Sequence, residues 1–577
     1  MNVQTIPGFD PKSARLPNNG LGAVSGKHRV WSLYPAVLFG LLVAPILYLF
    51  LFLPVTITLD GYSHLYGGQA LRLMLGGQPE FHGAFSYNSV LVPNWLDALL
   101  LAGLSKILPN ELALKLLIVL IGTALLSSLY FCVDATLFRR PQRAQVLIVL
   151  LPFALNAYLT LGFYGFLISA SLCFLVLGLV LRHGLGMPLR LQCVVAFLLL
   201  AAYFAHPVPV IVSFLFPCAY FISEAVIHWP DGWARLATAL KRHGFDTWPW
   251  LPPACMLPSL YLRLSKVSIL PGAQPHPDSI SFTFMHRMEA LGRDAFPSIS
   301  PTANVGTLFI ALLSILLAGV LLCPRKLFLQ NPVRFTSLTV LIVATMFFFL
   351  VAPDRVGDGS YIAGRFLLHS AIFLVLLALT SGAFNARLLT LCSLLAAVSV
   401  IGFAGEYLLV AKRLAPEVAE VRLAMESVPR RSRILILGYR MTPSSCPGLP
   451  LQQMIVLERH GALAGALKNE LIVLNDYQAI SSVFPLEYLT SRYSRVINEV
   501  DPSSEQNLAA WSEILKSDPP VDFVLSWGIS SGPKCQNSEY PPLEEALKDR
   551  YELVSFKQRA SRVELWRKRG NLFPPMP

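Results

Sequence analysis

The sequence predicts a mainly α-helical, polytopic transmembrane bundle that ends in a small α/β domain. Only 14% of the 577 residues are charged, whereas soluble domains carry about 25% charged residues. The deficit lies in the middle of the chain, where successive apolar runs reach the roughly 20 residues that a helix needs to cross a bilayer. We therefore divide the chain into an N-terminal tail (1–31), a transmembrane domain (32–410) and a C-terminal domain (411–577).

One of the apolar runs in the predicted transmembrane domain differs from the others. The run at 93–108 is short, begins with Pro93-Asn94 and carries Asp97 and Lys106, so we predict an amphipathic helix on the outer surface. About eleven spans remain, with a long first outer loop at 55–110. The remaining apolar runs lie near 32–54, 111–135, 144–160, 164–181, 190–206, 208–228, 249–268, 304–323, 335–352, 366–384 and 387–410.

The basic residues predict which loops face the cytoplasm. They concentrate in short loops between apolar runs, as cytoplasmic loops do. Placing these loops inside puts the N-terminus in the cytoplasm and residues 411–577 outside. The net charge of +12 therefore indicates membrane topology, and the absence of a basic stripe interleaved with aromatic residues argues against nucleic-acid binding. The basic loops lie at 139–143, 182–190, 241–242, 325–326 and Arg387.

The C-terminal domain alternates short apolar runs with helical ones, which is typical of a small α/β layer. Cys446 and Cys535 lie there in loops rich in Pro, Gly and Ser. If the domain faces an oxidising compartment, the two are a candidate disulfide; otherwise they are unrelated thiols. The predicted strands are 433–437, 471–474, 523–526, 551–556 and 563–566, and the predicted helices are 451–467, 505–516 and 542–549.

The first outer loop opens with the main candidate for chemistry. Asp60 and His64 are four residues apart, so they share a face if the segment is helical. Asp60 is a candidate general base toward an acceptor hydroxyl, and with His64 it is a candidate ligand of a divalent ion such as Mg²⁺ or Mn²⁺. A helix N-cap at Asp60 and an interfacial histidine at His64 are the structural alternatives.

Cationic and histidine side chains near predicted outer ends are candidates for substrate binding. Arg355 and Arg365 flank an outer loop, where guanidinium groups fit phosphate oxygens; an internal Asp–Arg pair is the alternative. Arg263 and Lys266 share one face near a helix end, where both can also extend to the surface. His206 closes the run at 190–206, which a polar turn would equally explain.

These residues resemble the GT-C superfamily of polytopic membrane glycosyltransferases. The segment Pro93-Asn-Trp95-Leu-Asp97 through Leu108-Pro-Asn-Glu-Leu-Ala-Leu-Lys115 looks like that family's surface helix and second span, and Asn156 to Phe166 with Tyr203-Phe-Ala-His206 is similar to its bacterial members. Asp60 matches the position of the acidic residue that the family carries after its first span. Many members carry paired acids there, whereas Asp60 stands alone.

The resemblance implies transfer of a sugar from a polyprenyl-phosphate donor to a glycan, lipid or protein acceptor at the outer face. Asp60 would act as base or metal ligand with support from His64, while the cations would neutralise the lipid phosphate. A lipid or solute transporter and a non-catalytic membrane assembly protein are the alternatives. The chain contains no Asn-x-Ser/Thr motif, which agrees with a bacterial inner membrane.

Overall fold

The computed structural model confirms a mainly helical chain with a small C-terminal α/β region. Seven helices in the described part of the chain are long and apolar enough to cross a membrane, and three shorter apolar helices accompany them. The described residues are 27–570 apart from 57, 59, 89–91, 134–139, 228–231, 268–303, 323–331, 354–360, 381–385, 439–462, 475, 480–483, 490–520, 528–546 and 555–562.

The long helices follow the predicted apolar runs closely, because each run is apolar on all sides and ends at charged or proline-rich segments. Two of them, α8 (Tyr164–His183) and α16 (Ile362–Thr380), are 72% and 78% buried and therefore form the centre of the bundle. The other bundle helices are α1 (Lys27–Phe52), α5 (Asn110–Cys132), α6 (Arg140–Ala154), α9 (Leu189–Ala205), α10 (Pro207–Ser213), α11 (Leu215–Ile227), α13 (Leu251–Val267), α14 (Asn304–Leu322), α15 (Pro332–Val351) and α17 (Ala386–Glu426).

The segment between α1 and α5, residues 53–109, is here called the first loop. It holds two main helices, α2 (Gly61–Leu75) and α4 (Trp95–Ile107), which pack on each other. At 1.5 Å per residue, the 13 residues of α4 reach only about 20 Å, which is too short to cross a bilayer. The prediction that 93–108 does not span the membrane agrees with this length.

The remaining short helices cover turns of the bundle. A helix rich in basic residues, α12 (Gly232–His243), packs against α11, and a 3₁₀ turn (Phe245–Trp250) follows it. The others are α3 (Pro79–His82), α7 (Ala157–Thr160) and α18 (Leu463–Ala466).

The C-terminal domain contains a five-stranded sheet, and all five predicted strands are confirmed. Its strand order is β3-β2-β5-β7-β6; β3, β2 and β5 are parallel, and β7 and β6 are antiparallel to their neighbours. The predicted helix at 505–516 and most of those at 451–467 and 542–549 lie outside the described residues. The strands are β2 (Arg433–Gly438), β3 (Ile472–Val473), β5 (Phe523–Trp527), β6 (Tyr551–Val554) and β7 (Val563–Lys568).

The C-terminal domain is joined to the first loop by a second sheet. Strand β1 (Phe85–Tyr87) of the first loop pairs antiparallel with β4 (Leu486–Tyr488), with Phe85 opposite Tyr488. The change of composition at residue 411 does not break the backbone, because α17 continues as one helix to Glu426 and contacts the sheet. The first loop is therefore packed between the bundle and the C-terminal domain.

Candidate functional site

Asp60 lies at the position immediately before α2, where a tight backbone contact fixes it. Its backbone N–H donates to the carbonyl of Leu161 at 3.1 Å. A Cβ at Gly162, which has φ of +79°, would lie 2.8 Å from that nitrogen, so only glycine fits there without strain. The Asp60 side chain makes no capping hydrogen bond, and the structure therefore does not support the N-cap interpretation.

His64 is on the first turn of α2 and forms an ion pair with Asp97 of α4. His64 Nδ1 is 2.7 Å from Asp97 Oδ2, and both side chains are almost fully buried. Asp97 Oδ1 has no hydrogen-bond partner among the described residues. The ring of Tyr164, at the start of α8, lies 5.2 Å from the ring of His64 and its hydroxyl is 2.8 Å from Thr58 Oγ1.

Three carboxylates surround His64 and determine its charge. Burial alone would lower the pKa of His64, but the hydrogen bond and charge of Asp97, followed by the charges of Asp60 and Asp476, raise that pKa above its ordinary value. The imidazole therefore holds a proton to higher pH than a free histidine. The protonated His64 therefore places a positive charge beside Asp60.

Arg365 lies on the first turn of the central helix α16 and is buried. Its Nη1 atom is 2.5 Å from His206 Nε2, and its guanidinium stacks over the rings of Phe163 and Phe166 at 4.7 and 5.3 Å. The N–H of Val208 points at the other ring nitrogen of His206, at 3.2 Å. A guanidinium and a backbone amide only donate, and a neutral imidazole accepts at one nitrogen, so the two donors compete for one lone pair.

Arg365 carries a buried donor that no acceptor satisfies: its Nε has no hydrogen-bond partner among the described residues. His369 lies one turn further along α16, and its Nδ1 donates to the Arg365 carbonyl at 2.7 Å, which leaves Nε2 of a neutral ring as a buried acceptor. Burying an unsatisfied donor costs about 1–3 kcal/mol. The unsatisfied guanidinium N–H and the buried positive charge suit an anionic ligand.

Asp60 and Arg365 belong to one site. The two are close enough for the carboxylate to interact electrostatically with the guanidinium. Both lie at the beginning of a helix, α2 and α16, and Tyr164 begins α8 at the same end of the bundle. The structure therefore brings Asp60, His64, Arg365 and His206 together at one end of the bundle.

The C-terminal domain reaches this site directly. The Ser63 hydroxyl donates to Asp476 Oδ1 at 2.5 Å, and the ring of Phe484 lies 6.0 Å from the ring of His64. On the next turn of α2, the Tyr66 hydroxyl donates to the Leu471 carbonyl and accepts from the Val473 N–H, at 3.1 and 2.8 Å. The orientation of α2 is thus tied to the domain that follows the bundle.

The remaining predicted site residues lie outside the described part of the structure. Arg263 and Lys266 lie within α13, but their side chains are outside the described part of the structure. Arg355, Cys446 and Cys535 fall in segments that the structure does not describe.

Sequence reasoning missed Asp97, His369 and Asp476 as members of the site. Asp97 had a signal, a carboxylate inside an apolar helix, which we used only to argue that the helix does not cross the membrane. His369 is likewise a titratable residue in an otherwise apolar run. Asp476 lies in a polar loop 416 residues after Asp60, and nothing in its local sequence marks it.

The metal ligands that the sequence predicts, Asp60 and His64, are two donors. No group of three His, Cys, Asp or Glu side chains in the described ranges is arranged to bind a metal ion. His64 Nδ1 already faces Asp97. Asp60 and His64 by themselves would supply fewer ligands than the six to eight oxygen atoms, or four nitrogen and sulfur atoms, of ordinary protein sites.

Comparisons with known proteins give one structural similarity. No protein-family model matches the chain, and no curated protein matches it. The chain is similar to the crystal structure of ArnT from Cupriavidus metallidurans bound to undecaprenyl phosphate, with a TM-score of 0.47 and 12% sequence identity. The similarity covers 96% of this chain and 100% of that one. A similarity at this level does not transfer a function.

Proposed function

We propose that this protein is a membrane glycosyltransferase that moves a sugar from a polyprenyl-phosphate donor to an acceptor hydroxyl. The observation that carries the proposal is the juxtaposition of Asp60 with the buried, donor-rich Arg365 at one end of the bundle. A carboxylate beside an anion-binding arginine is what displacement at a sugar phosphate needs. The resemblance of the sequence to GT-C enzymes supports the same reaction class.

In the proposed reaction the acceptor oxygen attacks the anomeric carbon of the sugar. The bond between that carbon and the phosphate oxygen breaks, and its electron pair leaves with the lipid phosphate. Asp60 takes the proton of the acceptor hydroxyl. Arg365 stabilises the negative charge that develops on the phosphate, and such preorganised charges are commonly worth several kcal/mol.

The residues around this pair have positioning roles in the proposal. Asp97 holds His64 in place, and the protonated His64 places a positive charge next to Asp60. His206 and the rings of Phe163 and Phe166 hold the guanidinium of Arg365. Arg263, Lys266 and Arg355 are proposed as further contacts of the phosphate group.

We place the site at the outer face of a bacterial inner membrane, with the N-terminus in the cytoplasm and the C-terminal domain in the periplasm. The basic residues support this orientation. Arg182 and His183 end α8, whereas Tyr164 begins it beside His64. Basic residues favour the cytoplasmic side, so the end of α8 that lies beside His64 faces outward. A disulfide between Cys446 and Cys535 is then proposed for the periplasmic domain.

Because Asp60 and His64 alone would supply too few metal ligands, we propose a reaction that does not depend on a metal ion held by the protein. If a divalent ion takes part, the substrate phosphate has to supply further ligands. Chelation with EDTA followed by titration with Mg²⁺ or Mn²⁺ tests this. Loss of transfer on chelation and its recovery with the ion would contradict the metal-independent form.

The first experiment measures binding of the donor class. Full-length protein in nanodiscs is titrated with undecaprenyl phosphate, and Arg365→Gln is compared with Arg387→Gln, which removes an exposed arginine at the start of α17. We expect at least a ten-fold weaker affinity for Arg365→Gln and less than a two-fold change for the control. Equal affinities for the two variants would remove the anion site from the proposal.

The second experiment measures transfer. A deletion strain is complemented with wild type, Asp60→Asn or Glu487→Gln, the last being an exposed carboxylate of β4, and its surface glycans and lipids are compared by mass spectrometry. We expect the missing glycosylated product to return with wild type and with Glu487→Gln, but not with Asp60→Asn. Full product with Asp60→Asn would exclude Asp60 as the base. Uptake of a soluble solute into vesicles would instead indicate transport.

A further inference from the structure

Helix α4 packs closely against α2 because a glycine of α2 faces it. A Cβ at Gly68 would lie 2.6 Å from the Cβ of Leu101 and 3.3 Å from the carbonyl oxygen of Ala98. This close packing brings Asp97, which directly precedes Ala98, into contact with His64 of α2. The first turn of α4 is therefore held in a fixed position beside the half of the site that contains His64.

The start of α4 also reaches the half of the site that contains Arg365. A Cβ at Gly165 of α8 would lie 3.0 Å from Asn94 Oδ1 and 2.5 Å from the carbonyl oxygen of Ala205. Ala205 ends α9 and directly precedes His206, whose ring contacts Arg365. The first turn of α4 therefore belongs to both halves of the site.

Asp97 is a buried carboxylate that His64 satisfies only in part. Its side chain is 1% exposed, and its Oδ2 is 2.7 Å from His64 Nδ1, while its Oδ1 has no hydrogen-bond partner among the described residues. An acidic residue three positions after a helix N-cap commonly accepts the N-cap backbone N–H, but Oδ1 makes no such bond to Asn94. A charged acceptor that is buried and unsatisfied costs more than a neutral one. Oδ1 is therefore suited to accept a hydrogen bond from a ligand.

Asp97 and Asp60 have two neighbours in common. Both carboxylates interact electrostatically with His64 and with Tyr164. The Tyr164 hydroxyl shares a hydrogen bond with Thr58 Oγ1, at 2.8 Å. The two carboxylates therefore lie in one site, on either side of the same pair of rings.

The proposed reaction places the donor sugar within this site. When a bond at an anomeric carbon is displaced directly, the base and the leaving group lie on opposite faces of the sugar ring. With Asp60 as the base and Arg365 at the lipid phosphate, the ring lies between these two side chains. The first turn of α4 contacts both halves of the site, so Asp97 lies where the ring has to bind.

We propose that Asp97 Oδ1 accepts a hydrogen bond from a hydroxyl or amino group of the donor sugar. The same carboxylate holds His64 through Oδ2, so one side chain both positions a neighbour and contacts the substrate. A hydrogen bond to a charged acceptor is stronger than one between neutral groups, and a carrier without a sugar cannot form it. Asp97 therefore distinguishes the glycosylated carrier from the bare one. This inference rests on the proposed glycosyl transfer.

The experiment measures whether the protein recognises the sugar of its donor. Full-length protein in nanodiscs is incubated with a lipid extract of the deletion strain to which undecaprenyl phosphate is added, and native mass spectrometry counts the carriers that are retained. Their masses separate the bare carrier from glycosylated forms, and sugars with hydroxyl groups alone from amino sugars. The test variant is Asp97→Asn. The matched control is Glu80→Gln, which changes a 45% exposed carboxylate of the same loop.

We expect wild type and Glu80→Gln to retain the glycosylated carrier at least ten-fold better than the bare one, a difference of about 1.4 kcal/mol. Asp97→Asn should lose this preference. Its binding of bare undecaprenyl phosphate should change by less than two-fold, which also establishes that the variant is folded. A preference that persists in Asp97→Asn would overturn the inference.

A second pair of variants separates contact with the sugar from an effect through His64. Asp97→Asn is introduced into His64→Gln, and the double variant is compared with His64→Gln alone. We expect a further loss of preference of at least five-fold, because Oδ1 contacts the sugar without the imidazole. No further loss would mean that Asp97 acts only through His64. The double variant leaves neither charge of the pair buried alone, so it serves as the test if Asp97→Asn by itself does not fold.

The outcome for wild type separates this inference from the proposed function. Retention of the bare carrier without preference for the glycosylated one contradicts the role of Asp97 and leaves the anion site at Arg365 in place. Retention of neither carrier contradicts the proposed function itself.

Discussion

The Asp97 carboxylate of α4 lies 2.7 Å from the imidazole of His64 on α2, and both side chains are buried. The two residues come from helices that the sequence presents as separate surface elements. Their contact fixes the angle between these helices and places a histidine next to Asp60. The first loop is therefore a built part of the site rather than a connection between two spans.

The ion pair predicts a pH-dependent contribution to stability. Folding raises the pKa of His64 above its ordinary value of 6.5, so the protonated pair stabilises the fold. That contribution is complete below the ordinary pKa and is lost as pH rises through the raised one. A pKa that rises by one on folding corresponds to about 1.4 kcal/mol of stability. We expect the melting temperature of wild type to exceed that of His64→Gln more at pH 5.5 than at pH 9.

The control for this prediction is His82→Gln. The His82 ring contacts the Met74 carbonyl at 2.9 Å, so its variant removes an imidazole of the first loop that is not part of the pair of His64 and Asp97. The change in melting temperature between the two pH values should be larger for His64→Gln than for His82→Gln. A difference between wild type and His64→Gln that stays constant with pH would show that the pair does not carry the proton we assign to it.

Gly162→Ala is expected to damage the site through the backbone of Asp60. A left-handed conformation costs a residue with a Cβ about 1–2 kcal/mol. Gly77→Ala carries the same conformational cost, because Gly77 has φ of +73°, but a Cβ there meets nothing within 4 Å. Both variants should melt at lower temperature, whereas only Gly162→Ala should also weaken the proposed glycosyl transfer, by about ten-fold (about 1.4 kcal/mol). Equal activities of the two variants would contradict the contact with Asp60.

Tyr66→Phe is expected to loosen the C-terminal domain from the first loop. The Tyr66 hydroxyl satisfies two buried backbone groups, the Leu471 carbonyl and the Val473 N–H. Leaving buried polar groups unsatisfied costs about 1–3 kcal/mol each. Hydrogen exchange at β3 should become faster in this variant. Tyr87→Phe changes an exposed tyrosine of β1 in the same loop and should leave exchange at β3 unchanged; faster exchange in both would mean that the hydroxyl of Tyr66 is not the cause.

Arg422→Ala is expected to cost more stability than Lys468→Ala. Arg422 on α17 forms an ion pair with Glu111 at the start of α5 and donates to the Tyr62 hydroxyl of α2 at 3.2 Å. Its side chain is only 30% exposed, whereas Lys468, paired with Glu426, is 67% exposed. Exposed pairs contribute about 0–1 kcal/mol, and removing one partner of a more buried pair costs more. Thermal unfolding of both variants checks this order.

The helices of the bundle were predictable because each span has to be apolar along its whole length. The run at 366–384 became α16 and the run at 164–181 became α8, with ends that differ by a few residues. The strands of the C-terminal domain were predictable for a related reason, because short runs rich in β-branched and aromatic residues, such as Phe523–Trp527, favour β-strands.

The candidate site was predictable only in part. Asp60 and His64 are neighbours in sequence, and their spacing on a helix already implied a shared face. The partners of His64 are Asp97 and Asp476, which come from a second helix and from another domain. The pairing of Arg365 with His206 joins helices 159 residues apart, and no local pattern encodes such a distance.

By itself, the amino-acid sequence determined that this chain crosses a membrane many times and ends in a small sheet. Hydropathy and strand propensity are properties of consecutive residues, so they can be read without coordinates. The tertiary structure alone decided which polar residues meet, because that depends on how helices pack. The close backbone contact at Gly162 and the docking of β4 on β1 position Asp60 and α2. The charged residues of the site interact strongly because they are buried among these contacts.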